Sequence, residues 1–407
     1  MSSFFRSRII ENGWGVPELD VDPTGLVREA LSSIESCYAD GGVLETPLVR
    51  VPWLEEATGG SRAVRLKLES AQRGGSYKAR GATHLARHLS DAHLARGVVT
   101  ASGGGAGDAS NLGAALARAV AAERRRRGVR GAGAPARVFV RRQGLSGGVG
   151  VGAGGGAADA RPEEEREEIV EVAEEAGEED EAARGAPSLL PLSFSPPWTE
   201  ARTAATLTES PFVHPYGDVR LLGGHGGMAL EVLSRSTPDD LDVVYLPVGG
   251  GSLLAATAAV LKTLAPGVRV VACAAEGAQG ALEESLEASE KARDRSARAA
   301  QAGGAGDEDA DAPSPASPRL PTLALSSCAR YVDEWMAVPE RAVARAMALA
   351  RAREGLRVEP GGALALAGAM LAGERNRGRA VVVVVSGGNV DEQTLQRAED
   401  IAHAAAR

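Results

Sequence analysis

Lys78 follows Gly75-Ser76-Tyr77 where an alternating apolar run gives way to a helix-forming stretch. A lysine buried at a strand-to-helix junction is an amine able to condense with an aldehyde, and burial lowers the pKa of its ammonium. Most lysines are solvated side chains, so this reading depends on what else the chain brings to the same place. Gly249-Gly250-Gly251-Ser252 closes one apolar run and opens a helix. Glycines let backbone N–H groups converge there, and the helix N-terminus adds partial positive charge, which suits a phosphate. Ser386 ends a run of valines and is followed by Gly387 and Gly388. Ser102, Gly103 and Gly104 end a third apolar run, where amides and a hydroxyl suit a carboxylate.

Holding these groups together requires repeated strand–helix units. Val64-Arg65-Leu66-Lys67-Leu68 alternates as a half-buried strand does. Short strands are expected at Gly97–Ala101, Arg137–Val140, Asp242–Leu246, Arg269–Cys273 and Val381–Val385. Helices are expected near Asn111–Ala122 and over Ser252–Leu264, and another opens at Pro339-Glu340 and stops near Gly355. Runs apolar on both faces suit a parallel sheet covered by helices, so the class is α/β with mostly parallel sheets. Two segments fall outside the pattern: a glycine- then glutamate-rich stretch at about 144–186, and an Ala/Ser/Asp/Pro-rich stretch at about 283–319. Neither buries enough apolar surface to offset its ordering entropy; both are expected as low-complexity insertions, disordered or loosely helical. Within the first, Glu163–Ala176 reads as a charged helix with a thin apolar stripe at Ile169, Val172, Ala173 and Ala176.

The stretch containing Lys67, Glu69, Gln72, Gly75, Ser76, Tyr77, Lys78, Arg80, Gly81 and Ala82 resembles the pyridoxal-phosphate lysine motif of the serine/threonine dehydratases and serine racemases. The glycine cradle, Ser386, Glu359-Pro360-Gly361-Gly362-Ala363 and His214-Pro215-Tyr216 match further segments of that family, in the same order. The resemblance implies a tryptophan synthase beta-like fold of two α/β domains. Residues 25–83 and 206–407 would form the large cofactor-binding domain and residues 84–205 the small one. It implies pyridoxal 5'-phosphate as cofactor, held by Lys78 as a Schiff base. Gly249, Gly250, Gly251 and Ser252 would take the phosphate, Ser386 the ring nitrogen, and Glu359 would line the pocket. Ser102, Gly103 and Gly104 would bind the substrate carboxylate. The implied reaction is deamination of L-serine or L-threonine by β-elimination, Lys78 acting as base, to a 2-oxo acid and ammonia. The partner is a small amino-acid substrate, and a homodimer is implied. The chain stops soon after Asp391, and an unregulated, catabolic-type enzyme is expected.

Departures from the motifs keep two alternatives open. Gly105 stands where the family places an asparagine on the cofactor, and Asn111, six residues on, is not expected to replace it. A cofactor-binding protein with little catalysis is therefore one alternative. A serine racemase-like isomerase is the other, although Gly103 stands where racemases place a second catalytic serine. The family gives proton transfer to the lysine, so His214 and His225 read as structural. No metal ligands are assigned: Glu276 matches a cation-binding position in some members, but Leu282 replaces the expected second carboxylate.

Composition narrows the remaining classes. Net charge is −9 with no basic stripe, which gives no footing for nucleic acid. No apolar run approaches the ~20 residues that span a bilayer, so no membrane partner is expected. Cys37, Cys273 and Cys328 are far apart in sequence and read as buried thiols of a reducing, cytoplasmic compartment.

Overall fold

The computed structural model describes residues 2–14, 25–102, 106–131, 134–141, 169–174, 198–278 and 322–404. The second insertion, at about 283–319, lies outside the described residues, as do Gly103, Gly104 and Gly105.

The strands are β1 (Leu48–Arg50), β2 (Ala63–Leu68), β3 (Val98–Ser102), β4 (Ala136–Arg141) and β5 (Ile169–Glu174). They continue with β6 (Phe212–Val213), β7 (Val243–Val248), β8 (Arg269–Ala275), β9 (Glu334–Val338) and β10 (Ala380–Val385). The first helices are α1 (Ser2–Glu11), α2 (Leu26–Cys37), α3 (Pro52–Ala57), α4 (Lys78–Arg87) and α5 (Asp91–Arg96). Next come α6 (Ala106–Arg127), α7 (Trp198–Leu207), α8 (Val219–Leu233) and α9 (Ser252–Leu264). The last are α10 (Thr322–Tyr331), α11 (Glu340–Glu354), α12 (Pro360–Ala372) and α13 (Glu392–Ala404).

Two sheets result. One has six strands in the order β1-β2-β10-β7-β8-β9 and is parallel except for β1. The other has four parallel strands in the order β5-β4-β3-β6. Successive side chains of a strand point to opposite faces, and the six-stranded sheet buries both. Val244, Leu246, Val270, Ala272, Val382 and Val384 join the apolar layer that includes α2, α8 and α9 residues. Val243, Tyr245, Val271, Cys273, Val381 and Val383 join a second layer with α11 and α12 residues. This is the mixed α/β, mostly parallel architecture that the apolar runs require.

Three local outcomes differ from the sequence reading. Ile169–Glu174 is a strand, not part of a charged helix: it pairs in parallel with Ala136–Arg141. Ile169, Val170 and Val172 are β-branched, and an open sheet edge satisfies their backbone better than an isolated polar helix with a thin stripe. Phe212–Val213 pairs with Val99–Thr100, so these residues go with the four-stranded sheet although they lie beyond residue 206. The alternation of β2 does not mark one wet face, since Lys67 is fully buried.

Elsewhere the local chemistry explains the elements directly. Pro339 is the N-cap of α11 and Gly355, at φ 65°, its C-cap. Proline fixes an extended entry, and only glycine takes a left-handed exit without strain.

Candidate active site

The six-stranded sheet brings three segments to one edge. Lys78 follows β2 through two short turns, Ser386 follows β10 directly, and Gly249 follows β7 directly. These strands are neighbours, with β10 between the other two, so all three segments emerge at the carboxyl ends of adjacent parallel strands. Ligands of open α/β sheets bind in that place.

The lysine and serine loops are stitched together. Tyr77 N donates to Ser386 O at 3.1 Å and Gly388 N donates to Gly75 O at 2.9 Å, flanking a bridge between Ser76 and Gly387. Lys78 opens α4 and is buried, and Ser386 is buried beside it in the chain fold. On the other side of β10, Gly251 adopts φ 79° and caps α9 without a side-chain hydrogen bond. The first N–H groups of a helix have no intrahelical partner, so here they are offered to an anion. Gly250 has a separate constraint, because a Cβ there would sit inside the Tyr216 ring. Gly250→Ala is expected to displace Tyr216 and cost about 1–3 kcal/mol, the range for overpacking. Thermal unfolding and cofactor retention after desalting both report it; unchanged values in both would contradict the close approach.

Glu359 precedes α12 and links the two sheets' helices. Its Oε2 accepts from Asn111 Nδ2 at 2.9 Å, and Asn389 Nδ2 donates both to Asn111 Oδ1 and to Gly74 O. Asn111 lies on α6 and is 3 % exposed. The sequence reading set it aside as too far down the helix. In the structure its amide meets the glutamate of the Glu-Pro-Gly-Gly-Ala segment and the asparagine after Ser386. The signal available in sequence was an asparagine opening the alanine-rich helical stretch Asn111–Ala122.

Three residues of the lysine motif turn out to be scaffold. Lys67, Glu69, Arg80 and Glu231 are fully buried together, two positive and two negative side chains. Arg80 donates to Glu69 at 2.6 and 2.8 Å and to Glu231 at 2.6 and 3.1 Å. Lys67 Nζ donates to Glu231 and to the Thr46 carbonyl, and Thr46 Oγ1 donates to Glu69 at 2.6 Å. Tyr38 joins through its hydroxyl, which contacts both Arg80 and Glu231. Burial pushes the Glu231 carboxyl up, but Arg80 and Lys67 together hold it below its ordinary range. This cluster ties α4, which begins at Lys78, to β2 and α8. Sequence reasoning found Lys67, Glu69 and Arg80 but could not pair them with Glu231.

His214 and His225 are weak bases here. His225 is packed edge-on against Tyr77 at 4.8 Å, and burial, with Lys78, Arg80 and His84 adding positive charge, pushes its pKa to about 3. His214 is pushed to about 4 by burial and Arg202. Both rings are neutral at physiological pH. Cys37, Cys273 and Cys328 are buried free thiols, each pushed up by burial. Ser102 ends β3, and its side chain lies outside the described residues, with Gly103 and Gly104 beyond it.

The family described as pyridoxal-phosphate dependent enzyme matches residues 39–387, which include Lys78, Asn111, the Gly249–Ser252 turn, Glu359 and Ser386. The chain belongs to that family. Among curated relatives, an L-threonine ammonia-lyase of Thermotoga maritima is 29 % identical, over 87 % of this chain and 74 % of that protein. A beta-hydroxyaspartate dehydratase of Paracoccus denitrificans is 28 % identical over 87 % and 93 %. Solved structures share the fold. The processed threonine deaminase isoform 2 of Solanum lycopersicum aligns with TM-score 0.62 at 19 % identity, covering 92 % of this chain and 93 % of that one. Maize serine racemase aligns with TM-score 0.61 at 22 % identity, covering 96 % and 99 %. The fold is thus the one the resemblance implied, and pyridoxal phosphate is the cofactor of the family. No described helix is long and apolar enough to cross a membrane.

Proposed function

We propose that this chain is an ammonia-lyase that deaminates a small 3-hydroxy amino acid, L-threonine or L-serine, by β-elimination. The observation that carries the reading is the convergence of Lys78, Ser386 and the Gly249–Ser252 turn at the ends of three adjacent strands. The residues fit the family's cofactor: a glycine-lined helix N-terminus for its phosphate, a buried amine for its aldehyde and a buried hydroxyl for its ring nitrogen. When bound, pyridoxal phosphate supplies an electron-withdrawing ring that acidifies the substrate Cα–H. The chain's own residues do the rest. Lys78, fixed at the first turn of α4, takes the Cα proton. Ser386 presents a neutral hydroxyl at the ring nitrogen. The end of β3 at Ser102 would orient the substrate carboxylate, and the hydroxyl would leave as water with a proton returned by the Lys78 ammonium.

The names of the relatives support a lyase, since two of those reported are a threonine ammonia-lyase and a hydroxyaspartate dehydratase. Asn111 bears on the alternative of a binding protein with little catalysis. We infer that Asn111, whose amide bonds Glu359, supports the pocket in place of the asparagine that the resemblance expects at Gly105.

The test is an assay of the purified holoprotein with L-threonine, L-serine and 3-hydroxyaspartate, following 2-oxo acid, ammonia and D-amino acid. Production of 2-oxo acid with ammonia supports the lyase; D-serine as main product would replace it with the isomerase reading. Asn111→Ala is expected to lower kcat about 10–100-fold, as loss of a positioning partner does, while Gly105→Asn leaves kcat unchanged. Recovery of lost activity by Gly105→Asn would return the role to that position.

A further inference from the structure

The far end of the helix that begins at Lys78 carries a second cluster, unrelated to the reaction. His84 and His88 are four residues apart on α4 and its cap, and such residues share a helix face. Glu29 reaches them from α2. His84 Nε2 lies 2.9 Å from Glu29 Oε2, and the two imidazole rings stand edge to face at 4.4 Å between centroids. One ring nitrogen from each histidine and one Glu29 oxygen all fall within 4.8 Å of one another. Among the described residues, this group of histidine and carboxylate side chains has the spacing of a metal site.

We propose that Glu29, His84 and His88 form a binding site for one borderline divalent cation, of the Zn2+, Co2+ or Ni2+ class, which clamps α2 to α4. Two imidazoles and a carboxylate favour these ions, whereas Mg2+ and Ca2+ require mostly oxygen donors. Tetrahedral coordination at about 2.0–2.1 Å puts neighbouring donors about 3.3 Å apart. The Glu29–His84 pair already lies near that separation, and His88, exposed on its helix end, supplies the remaining movement. The tautomers suit the role. His88 Nδ1 lies 2.8 Å from the His84 carbonyl, so it carries the proton and Nε2 keeps its lone pair. A backbone carbonyl on the other nitrogen is the usual way that a ligating histidine is oriented.

The His84 side chain is fully buried and its Nδ1 makes no hydrogen bond, so turning the ring over would exchange one nitrogen for the other on the Glu29 side without breaking a further bond. Glu29 is held in place from α8, where a Cβ at Gly223 would collide with the Glu29 side chain. The cationic neighbour Arg220 is neutralised by Asp218 at 2.6 Å. A surface cleft of about 430 Å³, lined by Ser36, Ala39, Asp40, Arg87, His88 and Arg126, gives entry from the His88 side. Three protein donors leave a fourth position for water.

The experiment uses the chelator-treated full-length holoprotein, titrated with Co2+ and then with Zn2+. Wild type is expected to bind one equivalent of Co2+ with a visible ligand-field band, to lose the band to Zn2+ but not to Mg2+, and to unfold at higher temperature when loaded. His88→Ala changes an exposed side chain and keeps the fold; it is expected to weaken binding more than the about 10–100-fold caused by losing an outer-shell partner. Glu29→Gln retains the hydrogen bond to His84 and is expected to weaken binding as well. Equal Co2+ binding by wild type and His88→Ala, or no binding by wild type, would overturn the proposal. So would displacement of Co2+ by an equal concentration of Mg2+. The readout does not depend on turnover, so failure here leaves the lyase reading untouched.

Discussion

Lys78→Ala is expected to abolish deamination, lowering kcat/KM by at least about 10⁴-fold, while the protein stays folded. The size follows from the two roles that the proposed reading gives to one amine. A general base contributes about 10²–10⁴-fold, and losing a covalent anchor adds to that because the cofactor is then held by its phosphate and ring alone. Lys78 is buried but belongs to the edge of the sheet, outside the four-charge cluster, so its removal leaves the packing of α4 intact. Lys78→Arg is the sharper variant, since it preserves a positive charge that neither condenses with an aldehyde nor gives up its proton. Both variants should lose the visible absorption band of the lysine-bound cofactor and release no 2-oxo acid on adding L-threonine. Activity within tenfold of wild type in either would remove Lys78 from the reaction.

The second large effect is on stability. Arg80→Met leaves Glu69 and Glu231 buried with only Lys67 to neutralise them, and breaking such a buried arrangement costs about 3–5 kcal/mol. Uncompensated charge, not the lost contacts, makes up most of that cost. Arg80→Met combined with Glu69→Gln restores electrical balance, with Lys67 facing Glu231, and is expected to recover at least half of the loss in urea unfolding. A double variant no more stable than the single one would show that the contacts matter more than the charge count. The pH dependence has a definite sign. The folded Glu231 carboxyl titrates below its ordinary 4.5, so its contribution is fully present above that pH and disappears as acid reaches the lower folded value. Arg80→Met should therefore flatten the acid limb of the stability curve.

Much of this arrangement was legible from local rules. The valine run at β10, the glycine turn into α9 and the Pro339–Gly355 bounds of α11 depend on side chains next to one another in sequence, and they lie where those rules put them. What was not legible depends on distant partners. Lys67 reads as the wet half of an amphipathic strand until Glu231, 164 residues away, arrives from α8. Ile169–Glu174 reads as polar helix until the edge of β4 is there to pair with it. Asn111 looks unable to reach the site because motif spacing was counted along the chain, whereas α6 carries it to Glu359, 248 residues away.

The position of β10 has a consequence for timing. Ala380–Val385 is among the last strands to leave the ribosome, yet it lies between β2 and β7. Until it inserts, the amine after β2 and the phosphate turn after β7 are not joined by any sheet, and Tyr77 has no Ser386 carbonyl to meet. Contacts of such long sequence separation form slowly, because the loop must close before they repay it. A nascent chain therefore makes every piece of the site well before it makes the site. On the proposed reading, capture of the cofactor then follows completion of the whole sheet.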